Sequence, residues 1–165
     1  WESGPFLYKL CKILKPELIV ETGVAYGVST SYILQALHEN NRGKLISIDS
    51  IFRPWQTKEM IGSAIPKNLR DRWELKIGTS ETVLENILKH TSPIDIFLHD
   101  SLHTYKNMSF EFQKSWPFIK KGGFLLSDDV TSNNAFTDFY KSIHVEPIIM
   151  IQEKTPLSYL GILKK

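Results

Sequence analysis

Two apolar runs in this 165-residue chain end on acids. Ile96, Phe97 and Leu98 lead into His99 and Asp100, and 28 residues beyond Asp100 a second run, Phe124, Leu125 and Leu126, has led through Ser127 into Asp128 and Asp129. Carboxylates near one another repel, and burying them unpaired is costly, so the pattern asks for a positive charge between them. Taken singly, each acid also has a plain reading: Asp100 as a helix cap, Asp128 and Asp129 as a solvent-exposed turn. His103, three residues after Asp100, is either a solvated residue at a helix start or a base, since imidazole takes protons near neutral pH without a large pKa shift. His99 lies one step inside the strand, so its side chain should point to the other face, and it reads as structural.

These residues need a scaffold that brings strand ends together. Residues 17–22, 44–50, 73–78, 94–100 and 123–129 read as buried strands, and residues 28–39, 80–89 and 105–119 between them have helical length and periodicity. Strands alternating with helices imply right-handed βαβ units and a parallel sheet. The rhythm breaks at the end. Residues 146–152 and 157–164 are separated by four residues, too few for a helical crossover, so they should pair antiparallel as a hairpin. Residues 6–14 form an amphipathic helix, and residues 51–69 are either helix or a loop over the sheet. The expected fold is α/β, a doubly wound Rossmann-like sheet of seven strands, five parallel plus the C-terminal antiparallel hairpin, in a single domain over residues 1–165. Ligands of such sheets bind outside the carboxyl ends of the strands.

The first strand is followed by "ETGVAYGVS", with Gly23 and Gly27 in a G-x-x-x-G turn and a helix opening near Ser29. Glycine allows positive φ and close approach of a ligand, though a tight strand-to-helix turn needs it too. The spacing differs from the G-x-G-x-x-G dinucleotide fingerprint, which counts against an oxidoreductase. Asp49 ends the second strand, where a carboxylate either accepts ribose hydroxyls or caps a turn. Ser80 and Glu81 follow the third strand as a helix start that could also face a purine. Phe112 and Trp116 at helical spacing read as core, and Asn133 and Asn134 as caps of a further helix.

On these residues the chain resembles class I S-adenosylmethionine-dependent methyltransferases, whose E/D-x-G-x-x-x-G-x-S loop "ETGVAYGVS" matches. It looks most like their metal-dependent O-methyltransferases of the catechol and macrolide-sugar types. The resemblance implies that Glu21, Gly23, Gly27 and Ser29 hold the methionine end of S-adenosylmethionine, Asp49 the ribose and Ser80 the adenine side, with Asp100 also among the cofactor contacts. It implies that Asp100, Asp128 and Asp129 hold a divalent cation, most simply Mg²⁺, through oxygen ligands. His103 matches the catalytic base, which is lysine in the catechol type and histidine in the macrolide-sugar type. The implied reaction moves a methyl group from sulfonium to a hydroxyl of a small molecule, such as a sugar or polyphenol. The alternative is a domain of this fold that binds a nucleoside or metal without turnover.

Composition narrows the rest. Twenty basic against 18 acidic residues make no polybasic surface for nucleic acid. No apolar stretch approaches the roughly 20 residues that span a membrane. The lone Cys11 leaves no internal disulfide framework and suits a reducing, cytoplasmic setting.

Overall fold

The computed structural model describes residues 3–51, 55–152 and 157–165. Its elements are α1 (Ser3–Leu14), β1 (Leu18–Thr22), α2 (Val28–Glu39), β2 (Lys44–Asp49), β3 (Trp73–Ile77), α3 (Ser80–Lys89), β4 (Ile94–His99), α4 (Tyr105–Ser115), β5 (Ile119–Ser127), α5 (Ala135–Ser142), β6 (Ile148–Gln152) and β7 (Ser158–Lys164). They build one seven-stranded sheet of order β3-β2-β1-β4-β5-β7-β6. β1 to β5 run parallel, and β7 pairs antiparallel with both β5 and β6. The expected sheet and hairpin are therefore present.

Every residue of β1 and β4 is buried, as two central strands covered on both faces must be. The period-two alternation divides their side chains between two cores. Ile19, Leu45, Ile96 and Leu98 face α1 and α2, packing on Leu7, Ile33, Leu34 and Leu37. Val20, Ile46, Phe97 and Leu125 face α3, α4 and α5, packing on Leu84, Met108, Phe112 and Phe136. Phe112 is core, as its spacing suggests, and Trp116 packs against the same cluster.

The order in which successive strands are added reverses between β1 and β4, the place where α/β sheets open a crevice. Backbone hydrogen bonds carry the ladder just past the strand ends: Gly23 N–H to Ile48 O, Asp100 N–H to Thr22 O and Asp128 N–H to His99 O, all at 2.8–2.9 Å.

Two boundaries differ from the sequence reading. The fourth helix stops at Ser115, because Pro117 supplies no amide and forces a 3-10 turn over Trp116–Phe118. The strand that follows then begins at Ile119, ahead of the expected glycines. Where residues 57–72 are concerned, the segment is neither a regular helix nor a loose loop. It makes two 3-10 turns, Lys58–Met60 and Lys67–Arg72, and buries Ile61, Ile65 and Leu69. Among the described residues no helix is long and apolar enough to cross a membrane.

Candidate active site

The loop after β1 is braced from three sides. Gly23 has φ 84°, and a Cβ there would lie 2.0 Å from the backbone oxygen of Asp100. Only glycine lets the β1 and β4 ends approach so closely. Gly27, at φ 86°, presses on Gly62 and Ile65 in the same way. Gly62 N–H and Ala64 N–H donate to Ala25 O and Tyr26 O, each at 2.9 Å, and the Arg70 guanidinium holds that segment through Gly62 O and Ile65 O. From β2, Asp49 Oδ2 accepts the amides of Val24 and Ala25 at 2.8 Å, and Oδ1 accepts that of Ser50 at 2.6 Å.

Below the loop lies Glu21, with no exposed surface. Ser47, Thr30 and Ser29 donate to it at 2.7, 2.9 and 3.4 Å. Burial pushes its carboxyl up to about 7, against the pull of those hydroxyls. Glu21 and Ser29 are thus turned toward each other inside the protein, and they shape the loop from beneath.

Sequence reasoning missed Glu111. This acid sits on the inward stripe of α4 with Met108, Phe112 and Ser115, and is fully buried. Thr22, Ser80, His99, Ser101 and Asn107 all donate to it, at 2.5, 2.5, 2.6, 2.8 and 3.0 Å. One carboxylate therefore ties the ends of β1 and β4 to the start of α3. Burial alone would raise its pKa, but His99, Ser80 and Thr22 outweigh that and lower it. Ser80 spends its hydroxyl here. The available signal was an acid occupying an i, i+3, i+4, i+7 apolar stripe.

His99 needs a correction. It does not face away from the site: its ring, fully buried on Glu111, lies edge-on to His103 with centroids 5.1 Å apart. Alternation fails as a guide because β4 ends at His99, and the chain turns before Asp100 and His103.

Asp100, His103 and Asp128 each offer a ligand atom within 4.8 Å of the others. Asp128 is 6% exposed, and its Oδ1 accepts from Gln152 Nε2 at 2.5 Å. Asp129, in the left-handed region at φ 49°, accepts the Ser158 hydroxyl at Oδ1 and stands beside that group. Asn133 takes the Ala135 amide at 2.8 Å, the expected capping role, and its Nδ2 donates to His103 O at 3.2 Å. Asn134 precedes α5 without a side-chain cap. The pKa of His103 is lowered, mainly by burial and then by His99, while Asp129 and Asp128 pull the other way. Its Nε2, like that of His99, is buried with no hydrogen-bond partner among the described residues. Two converging carboxylates suit a divalent cation, which removes their repulsion, and the orphan imidazole nitrogen beside them can accept either that ion or a proton.

Two surface clefts, of about 290 and 400 Å³, are lined by residues such as Glu85 and Lys114 or His38 and Arg72. Neither includes a strand-end residue.

A Rossmann-like sheet with a braced glycine loop and acids at the carboxyl edge defines a ligand-binding α/β domain of the methyltransferase type. Residues 20–130 match the family described as a methyltransferase domain (Methyltransf_24), and the chain belongs to that family. A comparison with curated proteins finds no match. Among solved structures the chain is similar to an O-methyltransferase from Bacillus cereus in complex with SAH, at TM-score 0.78 and 19% identity over 99% of this chain and 81% of that one. It is also similar to the O-methyltransferase TomG from Streptomyces achromogenes, involved in tomaymycin synthesis and solved with SAM (0.75, 17%, 99% and 80%). A third is the SAH-bound methyltransferase PaMTH1 of Podospora anserina (0.70, 12%, 98% and 77%). At these identities the likeness establishes the fold.

Proposed function

We propose that the protein transfers a methyl group from S-adenosylmethionine to a hydroxyl of a small molecule, assisted by a divalent cation. The observation that carries this reading is the convergence of Asp100, His103 and Asp128 within 4.8 Å, next to a glycine loop whose Gly23 touches Asp100. Membership of the methyltransferase-domain family supports it, as do neighbours described as O-methyltransferases with SAH or SAM bound.

For the cofactor, α2 presents an N-terminus with no side-chain cap, suited to the carboxylate of the methionine end through its free amides and dipole. Gly23 and Gly27 set the backbone of that loop, with Glu21 and Ser29 beneath it. A carboxylate has about four acceptor sites, and three backbone amides occupy Asp49, leaving it capacity for a ribose hydroxyl. Ser80 supports the adenine side through its position at the start of α3.

Asp100 and Asp128 would hold the cation, with Asp129 alongside, and oxygen ligands favour Mg²⁺. When bound, the cofactor supplies an electrophilic methyl group and the cation lowers the pKa of a nearby hydroxyl. His103, neutral through its lowered pKa, receives the hydroxyl proton on its unpartnered Nε2. Asn133 holds the His103 backbone carbonyl, and His99, fixed by Glu111, packs edge-on against the His103 ring. The acceptor is a hydroxylated small molecule, a sugar or polyphenol being the first to try.

The same cluster favours a second assignment, in which His103 is a third ligand to a softer metal such as Mn²⁺ or Fe²⁺. Nitrogen coupling in the electron-spin resonance of bound Mn²⁺ separates ligand from base. The function itself is tested with labelled S-adenosylmethionine against a panel of sugars, catechols and glycosides, with and without chelator. Transfer that stops with chelator and returns with Mg²⁺ supports the proposal. Cofactor binding without transfer to any acceptor favours a non-catalytic domain.

A further inference from the structure

The edge strand β6 inverts the usual burial pattern. Its isoleucines lie in solvent, Ile148 at 63% and Ile151 at 61% exposed, whereas its last residue, the polar Gln152, is 0% exposed. A strand that leaves its isoleucines outside, packs only Met150 on the core and sinks an amide is not placed by apolar burial alone. Burying an amide is unfavourable unless it is hydrogen-bonded, so the destination of this one is informative. Nε2 donates to Asp128 Oδ1 at 2.5 Å and reaches Ser158 Oγ at 3.4 Å. Ser158, the residue opposite Gln152 in the hairpin register, donates to Asp129 Oδ1. Two facing hairpin residues thus each hold one of two adjacent acids. The backbone at Asp129 is left-handed, φ 49°, a conformation aspartate tolerates better than most residues, and the two neighbouring carboxylates go to separate partners.

We propose that the hairpin residues Gln152 and Ser158 are positioning residues of the cation site: Gln152 orients Asp128 as a ligand, and Ser158 holds Asp129 beside the ligand group. This rests on the reading of Asp100, His103 and Asp128 as a cation site. A ligating carboxylate is itself normally hydrogen-bonded, and removing that outer partner typically lowers metal affinity 10- to 100-fold. The amide also carries an unused acceptor, since Gln152 Oε1 is buried with no partner among the described residues. An apolar residue of the same volume would fill the space with less strain on polar satisfaction, so the amide serves Asp128.

The test is Mn²⁺ binding to the purified protein, followed by spin resonance and by the metal-induced change in Tm, with no substrate present. In Gln152→Leu, Mn²⁺ affinity should fall about 10- to 100-fold, while affinity for S-adenosylhomocysteine stays within about threefold. Gln152→Glu removes the donor and sets a second carboxylate against Asp128. Its metal-free Tm should drop, and Mn²⁺ should raise its Tm by more than it raises that of the wild type. Should Gln152→Leu fail to fold, the Gln152→Glu comparison still decides. Wild-type Mn²⁺ affinity in Gln152→Leu, or a Gln152→Glu Tm that Mn²⁺ moves no more than it moves the wild type, overturns the proposal. Absence of Mn²⁺ binding by the wild type itself overturns the cation site and the proposal together, and is recognised by Asp128→Asn behaving like the wild type.

Discussion

The two halves of the carboxyl edge treat their polar atoms differently. Around the β1 to β3 ends, Glu21, Ser29, Ser47 and Asp49 spend their hydrogen bonds on the chain itself. Around the β4 and β5 ends and the hairpin, His99 Nε2, His103 Nε2 and Gln152 Oε1 are buried without partners. The other two such atoms among the described residues are Ser3 Oγ at the start of α1 and Gln56 Oε1 in the segment that follows β2. Each buried unmet group costs about 1–3 kcal/mol. One half is closed on the chain, with Asp49 alone keeping an acceptor site to spare; the other holds buried side-chain atoms that the described residues leave unmet. The glycine loop therefore owes its shape to the protein, and the proposed cation site gives the unmet atoms of the acid-histidine cluster a ligand to meet.

Gly23→Val should do the most damage. Its Cβ would meet a backbone oxygen at 2.0 Å with φ at 84°, so we expect a stability loss of about 3 kcal/mol or more. Thermal denaturation and cofactor calorimetry should fall together. A variant of wild-type Tm that loses only the cofactor would mean that Gly23 makes room for a ligand, and would break the contrast between the halves. Asp100→Asn or Asp128→Asn should abolish transfer and leave the fold intact, with metal-free Tm unchanged or raised as repulsion is relieved. A Tm collapse in either would place these acids in the brace.

His103→Ala should lower kcat ~10²–10⁴-fold, the worth of a positioned base, and leave calorimetric cofactor affinity nearly unchanged. Burial and His99 lower the His103 pKa, so its neutral, accepting form persists below the usual 6.5. The rate should rise with pH through one ionisation whose midpoint lies below 6.5, then level off. A midpoint above 6.5 would put the base elsewhere.

Glu21→Gln is the mildest change. The wild-type carboxyl is raised from 4.5 to about 7, so between those values the folded state holds a proton that the unfolded state has released. The stability linked to that proton is complete below pH 4.5 and is lost as pH rises through 7, on the order of 3 kcal/mol. Urea unfolding at pH 5 and pH 8 should show Glu21→Gln gaining on the wild type as pH rises. Parallel curves would mean that Glu21 is charged when folded.

Strand ends were legible because β1, β2, β4 and β5 are short apolar runs closed by polar residues, and the four-residue gap after Gln152 forced a hairpin. Asp100, Asp128 and His103 could be singled out for the same reason: each ends or follows such a run. Glu111 and Gln152 escaped because their roles are long-range. Glu111 lies 31 residues from Ser80 and 89 from Thr22, and Gln152 lies 24 from Asp128. Neither carries local punctuation. His99 was misdirected by a period-two rule applied one residue past the end of β4. The segment over the glycine loop was unreadable since its 3-10 turns owe their shape to Gly27 and Arg70.

The sheet order has a consequence in time. β1 is the first strand of this sheet to be made, yet it lies at the centre and pairs on one side with β4, joined by contacts such as Leu18 N–H to Asp95 across 77 residues. At roughly 5–20 residues per second of synthesis, β1 waits roughly 4 to 15 s for that neighbour. Pairing across so long a loop also makes folding slow in the full chain. The acids of β5 wait again for Gln152 and Ser158. Refolding should therefore show burial of Trp73 beside β2 before any signal from the cluster at Asp128, and that cluster is the last part of the sheet edge to exist.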